Sequence, residues 1–374
     1  MDRHEARSLV DKYIKGNCSE EEKAIVESWY VQLPYLADAP SPGQIIAAKD
    51  NVWDQLMSQR QNKQRLYYRV GMTAAAVLLI GFGAFWFFNK SFYPESNLAT
   101  TAASDIAPGS NKATLTLADG KTINLSGDKT GVKIKETALT YDDGSAIPSN
   151  DLAHVKEQIL VATTPKGGTY KFMLPDGTAV WLNAATTLRF PSSFKGLSDG
   201  QNRNVELTGE AYFEVAKDKS HPFIIKTKLQ EVKVLGTQFN VNSYPDDDDT
   251  KTTLLEGSVR ILSSDRKDDV LLRPNQQSIV TTSNIRVKTV DPEDIISWKT
   301  GDFSFSGEPL GSIMKKIARW YNVDVVYVDK TLAGKLFGGT ISRYEKIAEV
   351  LHLLEVTGEV KFKINGRTVT VTNK

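Results

Sequence analysis

The chain has 374 residues, with 46 Lys and Arg against 45 Asp and Glu and a formal net charge of +1. That balance excludes a protein that grips nucleic acid by bulk charge. A single cysteine, Cys18, excludes a disulfide scaffold. The four histidines, His4, His154, His221 and His352, are too scattered for a metal site, so neither metal nor cofactor is expected.

The first stretch reads as helical. Ala6, Leu9, Val10, Tyr13 and Ile14 recur at helical spacing, and Gly16 stops the pattern. Ser19 and Glu22 then have the spacing of a capping box ahead of a second helix carrying Ile25 and Trp29. Ser41-Pro42 opens a third, with Ile45, Val52, Trp53 and Leu56 on one face. Trp29, Tyr30, Trp53 and Leu56 make a thin core, and a bundle of about sixty residues buries little surface alone. Two readings stand: a small independent bundle, or a domain that completes its core on a partner. Residues 1–69 hold ten basic and ten acidic side chains, which favours a protein partner over DNA.

Val70 to Phe88 is nineteen residues without a charge. A helix of that length rises about 28 Å, close to the hydrocarbon thickness of a bilayer. A buried core helix would be shorter and show a polar face. A signal peptide would start near residue 1. The stretch is expected to be a transmembrane helix, with Tyr67, Tyr68, Trp86 and Phe88 at its ends. Arg60, Lys63, Arg65 and Arg69 precede it and only Lys90 follows closely, which places residues 1–69 in the cytoplasm and the rest outside. An exported region without disulfides fits a bacterial periplasm.

Residues 89–110 are rich in Ser, Thr and Ala and read as a tether. Beyond them the apolar period becomes two. "TLTLADGKTINL" and "YKFMLPDGTAVWL" are strands joined at Asp119-Gly120 and Asp176-Gly177. "AYFEVA", "PFIIKT", "EVKVLG", "TQFNVNSY", "KTTLLEG" and "SVRIL" are further strands. The run Asp246 to Asp249 lacks the glycine and distal glutamate of a calcium loop and reads as a solvated hairpin tip. From Trp298 the pattern is strand, helix, two strands, helix and a closing hairpin on Asn365-Gly366. The strands "VDVVYV" and "RTVTV" are expected to leave an edge open.

The expected fold class is therefore multidomain. It comprises a small all-α cytoplasmic bundle (1–66), one transmembrane helix (70–88) and a periplasmic linker (89–110). An all-β sandwich or jelly-roll-like periplasmic domain (111–290) and a small α+β C-terminal domain (297–374) complete it.

Several strings carry a resemblance. "LPDGTAVWLNAATTLRFP", "VELTGEAYFEVAKDKSHPFII", "VKVLGTQFNVNSYPDD", "TTLLEGSVRI" and "LRPNQQSIV" resemble, in order, the FecR family of anti-sigma factors. "YIKGNCSEEEKAIVESWY" resembles the family's short helical anti-sigma segment, although Cys18 stands where an aliphatic residue is expected. Residues 297–374 are similar to the C-terminal domain of its Bacteroidetes members, and that domain is similar to the short signalling domain of secretins and TonB-dependent transducers.

The resemblance implies a non-enzymatic transcription switch in the inner membrane. An extracytoplasmic-function sigma factor would be held inside the cell, with Trp29, Tyr30, Trp53 and Leu56 as the candidate contacts. The signalling domain of a TonB-dependent outer-membrane transporter would touch the periplasmic part, and regulatory proteases would act on it. Some relatives cut themselves at a Gly-Thr bond, and Gly236-Thr237 is the matching position.

The alternative from another class is a membrane-anchored periplasmic β-sandwich that binds or processes glycans. Trp181 would be its platform, and Asp176 and Glu210 its paired carboxylates. Both are better read otherwise, Trp181 as a core residue of its strand and Asp176 as a turn residue.

Overall fold

The computed structural model describes residues 105–374, apart from 136–137, 148–157, 199, 266–267 and 357–358, together with Lys12, Ser19 and Glu22. The chain divides into two compact units, Met1–Leu98 and Ala99–Lys374. In the first, the capping box predicted from spacing is present. Ser19 N donates to Glu22 Oε2 at 3.0 Å, and Glu22 N donates to Ser19 Oγ at 3.2 Å.

The described structure overturns the fold class expected from the sequence. It is mostly β-sheet, and the three α-helices described along their length all lie beyond residue 291, with Lys12 and Glu22 the other described residues in α-helical conformation. None of the described helices is long and apolar enough to cross a membrane. The expected all-α bundle and membrane helix form no part of it. Apart from Lys12, Ser19 and Glu22, both fell on residues outside the described ones. What is described is strand-rich because period-two alternation dominates its sequence.

The strands from Ser110 to Thr289 pair into one continuous 18-stranded sheet folded on itself. Both Asp-Gly hairpins form. Thr114–Thr116 pairs with Thr122–Asn124, and Gly168–Met173 pairs with Ala179–Leu182. The long strand Arg203–Glu214 carries the sheet from one layer to the other. Its first half pairs with Thr186–Pro191 and, in parallel, with Phe223–Lys226. Beyond Gly209 it pairs instead with Ala179–Leu182 and Gln238–Ser243. Leu115, Leu160, Phe172, Leu188, Phe213, Phe223, Phe239 and Ile261 are buried together in the core of this region.

The C-terminal part opens with helix α1 (Pro292–Thr300), which the sequence reading did not anticipate. Asp291 caps it by accepting from Glu293 N, and Pro292 supplies the fixed φ of a first turn. Ile296 and Trp298 of α1 pack against Tyr212 of the long strand. Then come strand Asp302–Pro309, helix α2 (Leu310–Tyr321), strands Asp324–Tyr327 and Leu336–Ser342, helix α3 (Ile347–Val356) and hairpin Val360–Asn365/Thr368–Asn373. This order matches the alternation read from the sequence.

One edge expectation needs correction. "RTVTV" lies in the strand Thr368–Asn373 at the centre of a three-stranded sheet, paired on both sides. Asp324–Tyr327 is an edge of that sheet. Leu310, Ile313, Ile317 and Trp320 of α2 and Ile347, Val350, Leu351 and Leu354 of α3 form a second core, which also takes in Ile106 and Ala184.

Candidate functional site

Where the C-terminal part meets the sandwich, buried polar side chains close a ring. Glu210, on the long strand, accepts from Asn183 Nδ2 at 2.8 Å and from Asn240 Nδ2 at 3.0 Å. Asn240 Oδ1 in turn accepts from Trp298 Nε1 at 3.2 Å. Asn183 Oδ1 accepts from Arg343 NH2 at 3.2 Å, and Arg343 NH1 donates to the Trp298 carbonyl at 2.6 Å. Three members come from the sandwich, one from α1 and one from the segment after Leu336–Ser342. Arg343 is only 2 % exposed, and its guanidinium stacks 3.5 Å from the centroid of Trp320. Burial pushes its pKa down to about 10. Glu210 is thus held at a distance from a buried cation through one shared amide. Such a network fixes one docking geometry, because a half-satisfied version is costly.

A second set of contacts lies beside it. Arg319 of α2 donates to Asp246 Oδ1 at 2.7 Å and to Asp247 Oδ2 at 3.3 Å. Lys315 donates to Asp247 Oδ1 at 2.7 Å and to the Asp246 carbonyl. The Arg319 guanidinium also lies 3.6 Å from the ring centroid of Tyr244, whose hydroxyl donates to the Ala184 carbonyl at 2.7 Å. Burial opposes the charge on Arg319, but Tyr244, Asp247 and Asp246 outweigh it and hold its pKa above the ordinary value. The run is the tip of the hairpin between Gln238–Ser243 and Thr250–Glu256, with Asp246 and Asp248 exposed as read from the sequence, and its first two aspartates are in addition tied to α2.

Gly236-Thr237 lies in the bend between strands Gln230–Val234 and Gln238–Ser243. Gly236 has φ +145°, and a Cβ there would meet Lys217 Cα at 2.8 Å. Only glycine fits this conformation and this approach. Thr237 is buried, and its hydroxyl donates to the Ser258 carbonyl at 3.1 Å. The bend is tied down on both sides of the bond. Asp218 N donates to the Leu235 carbonyl at 2.9 Å and Val215 N to the Thr237 carbonyl at 3.0 Å. His221 Nδ1 is 2.9 Å from Asp218 Oδ2, and that hydrogen bond keeps the Asp218 carboxyl below its ordinary pKa.

Family models match two parts of the chain: "FecR protein" over residues 161–260 and "FecR, C-terminal" over residues 302–371. Two crystal structures of a candidate anti-sigma factor from Parabacteroides distasonis ATCC 8503 are similar to it. The first, at 1.65 Å, is 29% identical with a TM-score of 0.53, covering 57% of this chain and 99% of its own. The second, at 2.50 Å, is also 29% identical with a TM-score of 0.53, covering 58% and 99%. No curated protein matches the chain. The chain belongs to the FecR family of anti-sigma factors. Its role is regulatory, with a sigma factor as the implied partner.

In this FecR-family chain the glycan reading loses its two supports. Trp181 is half-buried against Tyr212, with Lys299 Nζ 4.2 Å and Lys171 Nζ 4.9 Å from its ring centroid. Its π-face is taken by the protein's own cations. Asp176 accepts from Arg203 NH1 at 2.6 Å, whereas Glu210 serves the interdomain ring, so the two carboxylates belong to separate networks.

Trp29, Tyr30, Trp53 and Leu56 lie outside the described residues. The interdomain ring was missed in the sequence, where one signal did exist. Asn240 sits between Phe239 and Val241 in a strand, and all three are buried.

Proposed function

We propose that this FecR-family chain sequesters an extracytoplasmic-function sigma factor through its first 66 residues. Its outer part would relay a nutrient signal from the signalling domain of a TonB-dependent outer-membrane transporter. The observation that carries the relay is the surface of the C-terminal domain. Val326 is 49 % and Val328 72 % exposed beside the open edge Asp324–Tyr327, and Leu336, Leu353 and Val356 are exposed on the same domain. An incoming strand would find free backbone groups with apolar neighbours there.

The sigma grip is assigned to Trp29, Tyr30, Trp53 and Leu56, large apolar side chains of the kind that anchor interfaces. The tagged full chain should co-purify a sigma factor of this class, and Trp53→Ala should lower the yield about tenfold. Equal recovery from both would remove these residues from the contact.

A self-made cut before Thr237 would join this scheme. The Thr237 hydroxyl would attack the Gly236 carbonyl carbon, breaking the C–N bond. The ester formed would free the Thr237 amine, and water would then open the ester. The positive φ of Gly236 and the hydroxyl's bond to the Ser258 carbonyl support this reading. Strand pairing on both sides would hold the pieces together, leaving regulatory proteases to act once they part. The purified protein should run as two fragments under denaturing conditions, and Thr237→Ala as one. A single intact band from the unmodified chain excludes the cut.

A further inference from the structure

Helix α3 opens with four amides that need acceptors. Glu349 N and Val350 N donate to the Lys346 carbonyl. The other two are served from the opposite end of the region. Ile347 N donates to the Ile106 carbonyl at 3.1 Å, and Ala348 N donates to Asp105 Oδ1 at 3.3 Å. Asp105 thus plays the part of a helix-capping carboxylate although it lies 243 residues away in sequence.

The same short segment is anchored twice more. The Ile106 side chain is 8 % exposed and belongs to the C-terminal core, not the sandwich core. Gly109 lies flat against Trp320, where a Cβ would come within 2.6 Å of the indole. Only then does the chain enter the sandwich, as Ser110–Asn111 pairs with Gly168–Met173. The path from the N-terminal part therefore touches the C-terminal domain before it reaches the sheet.

We propose that Asp105–Gly109 is a strap through which the C-terminal domain controls access to the chain just before the sandwich. The caps and the buried isoleucine act together. A shift of the start of α3 would withdraw two donors and open the pocket of Ile106 at once. Docking on the C-terminal domain would thereby free the strap without disturbing the sandwich core. The inference rests on these contacts and stands apart from the identity of the partner.

The test uses the full chain with Cys18→Ser, Asp105→Cys and Ala348→Cys. Mild oxidation should join the two introduced cysteines. Thermolysin, which cuts before Ile106 only when the strap opens, should cleave the oxidised form about tenfold more slowly than the reduced form. In a second arm, Ile106→Asp should speed amide exchange in the first turn of α3 about tenfold while the sandwich strands keep their protection. The strap is overturned if no cross-link forms, or if cleavage is equal in the locked and reduced forms. Unchanged exchange in a folded Ile106→Asp chain overturns it too. Should Ile106→Asp fail to fold, the cross-linked chain decides alone.

Discussion

Asp246 shows how one side chain can tie a domain contact to pH. Burial alone would raise its pKa. The hydrogen bond and charge of Arg319, with the charge of Lys315, outweigh that and hold the carboxyl below its ordinary 3.8. A carboxyl depressed in the folded state stabilises above its unfolded value and loses that contribution as pH falls through the folded one. The contact between the aspartates and α2 should therefore weaken below about pH 4. The side chain is 57% exposed, so solvent screens the pair and the effect is modest. Denaturant midpoints at neutral pH and near pH 3 should show the parent losing more on acidification than Asp246→Asn. Equal losses in the two proteins would remove Asp246 from the acid response. The same residue shows why this contact was illegible in the sequence. Its partners lie 69 and 73 residues away, and a run of four acids without them reads as solvent-facing.

At the scale of elements, legibility followed local physics. Strands such as Gly168–Met173 alternate buried and half-buried residues, so period two reports them directly. The Asp-Gly turns at 119–120 and 176–177 fix hairpins by their own chemistry. The capping box at Ser19 and Glu22 is equally local. Helix α1 was missed although Asp291-Pro292 announces it, because its nine residues bury only Ile296 and Trp298 and show little periodicity. The crossing of Arg203–Glu214 between layers was invisible for another reason. Which neighbour a strand pairs with is set by the whole sheet, and its parallel partner Phe223–Lys226 reads as a strand without showing what it lies beside. The strap is the extreme case, since its contacts join residues 105 and 348. Nothing within a sequence window could link them.

At the scale of the whole described region beyond residue 105, two domains could in principle move and unfold apart. Interfaces within a chain are often small and polar, and a domain of about seventy residues is marginal alone. Here the boundary is built differently. Ala184 of the sandwich and Ile106 of the strap belong to the C-terminal core, and Trp298 of α1 packs against Tyr212 of the long strand. The ring through Glu210, Asn183, Arg343, Trp298 and Asn240 is buried across the join. Separation would expose the indoles of Trp298 and Trp320 together with the cap of α3. Residues 161–260 and 302–371 should therefore lose protection as one unit. Amide exchange followed segment by segment through a guanidinium series, on the full chain, should give both the same midpoint. Arg343→Ala should lower that shared midpoint by an amount equivalent to about 3 kcal/mol, because the Trp298 carbonyl and Asn183 Oδ1 would lose a buried donor and a void would open beside Trp320. An earlier midpoint for 302–371 in the parent protein would show the C-terminal domain opening on its own. The ring would then be a docking contact and not part of a common core.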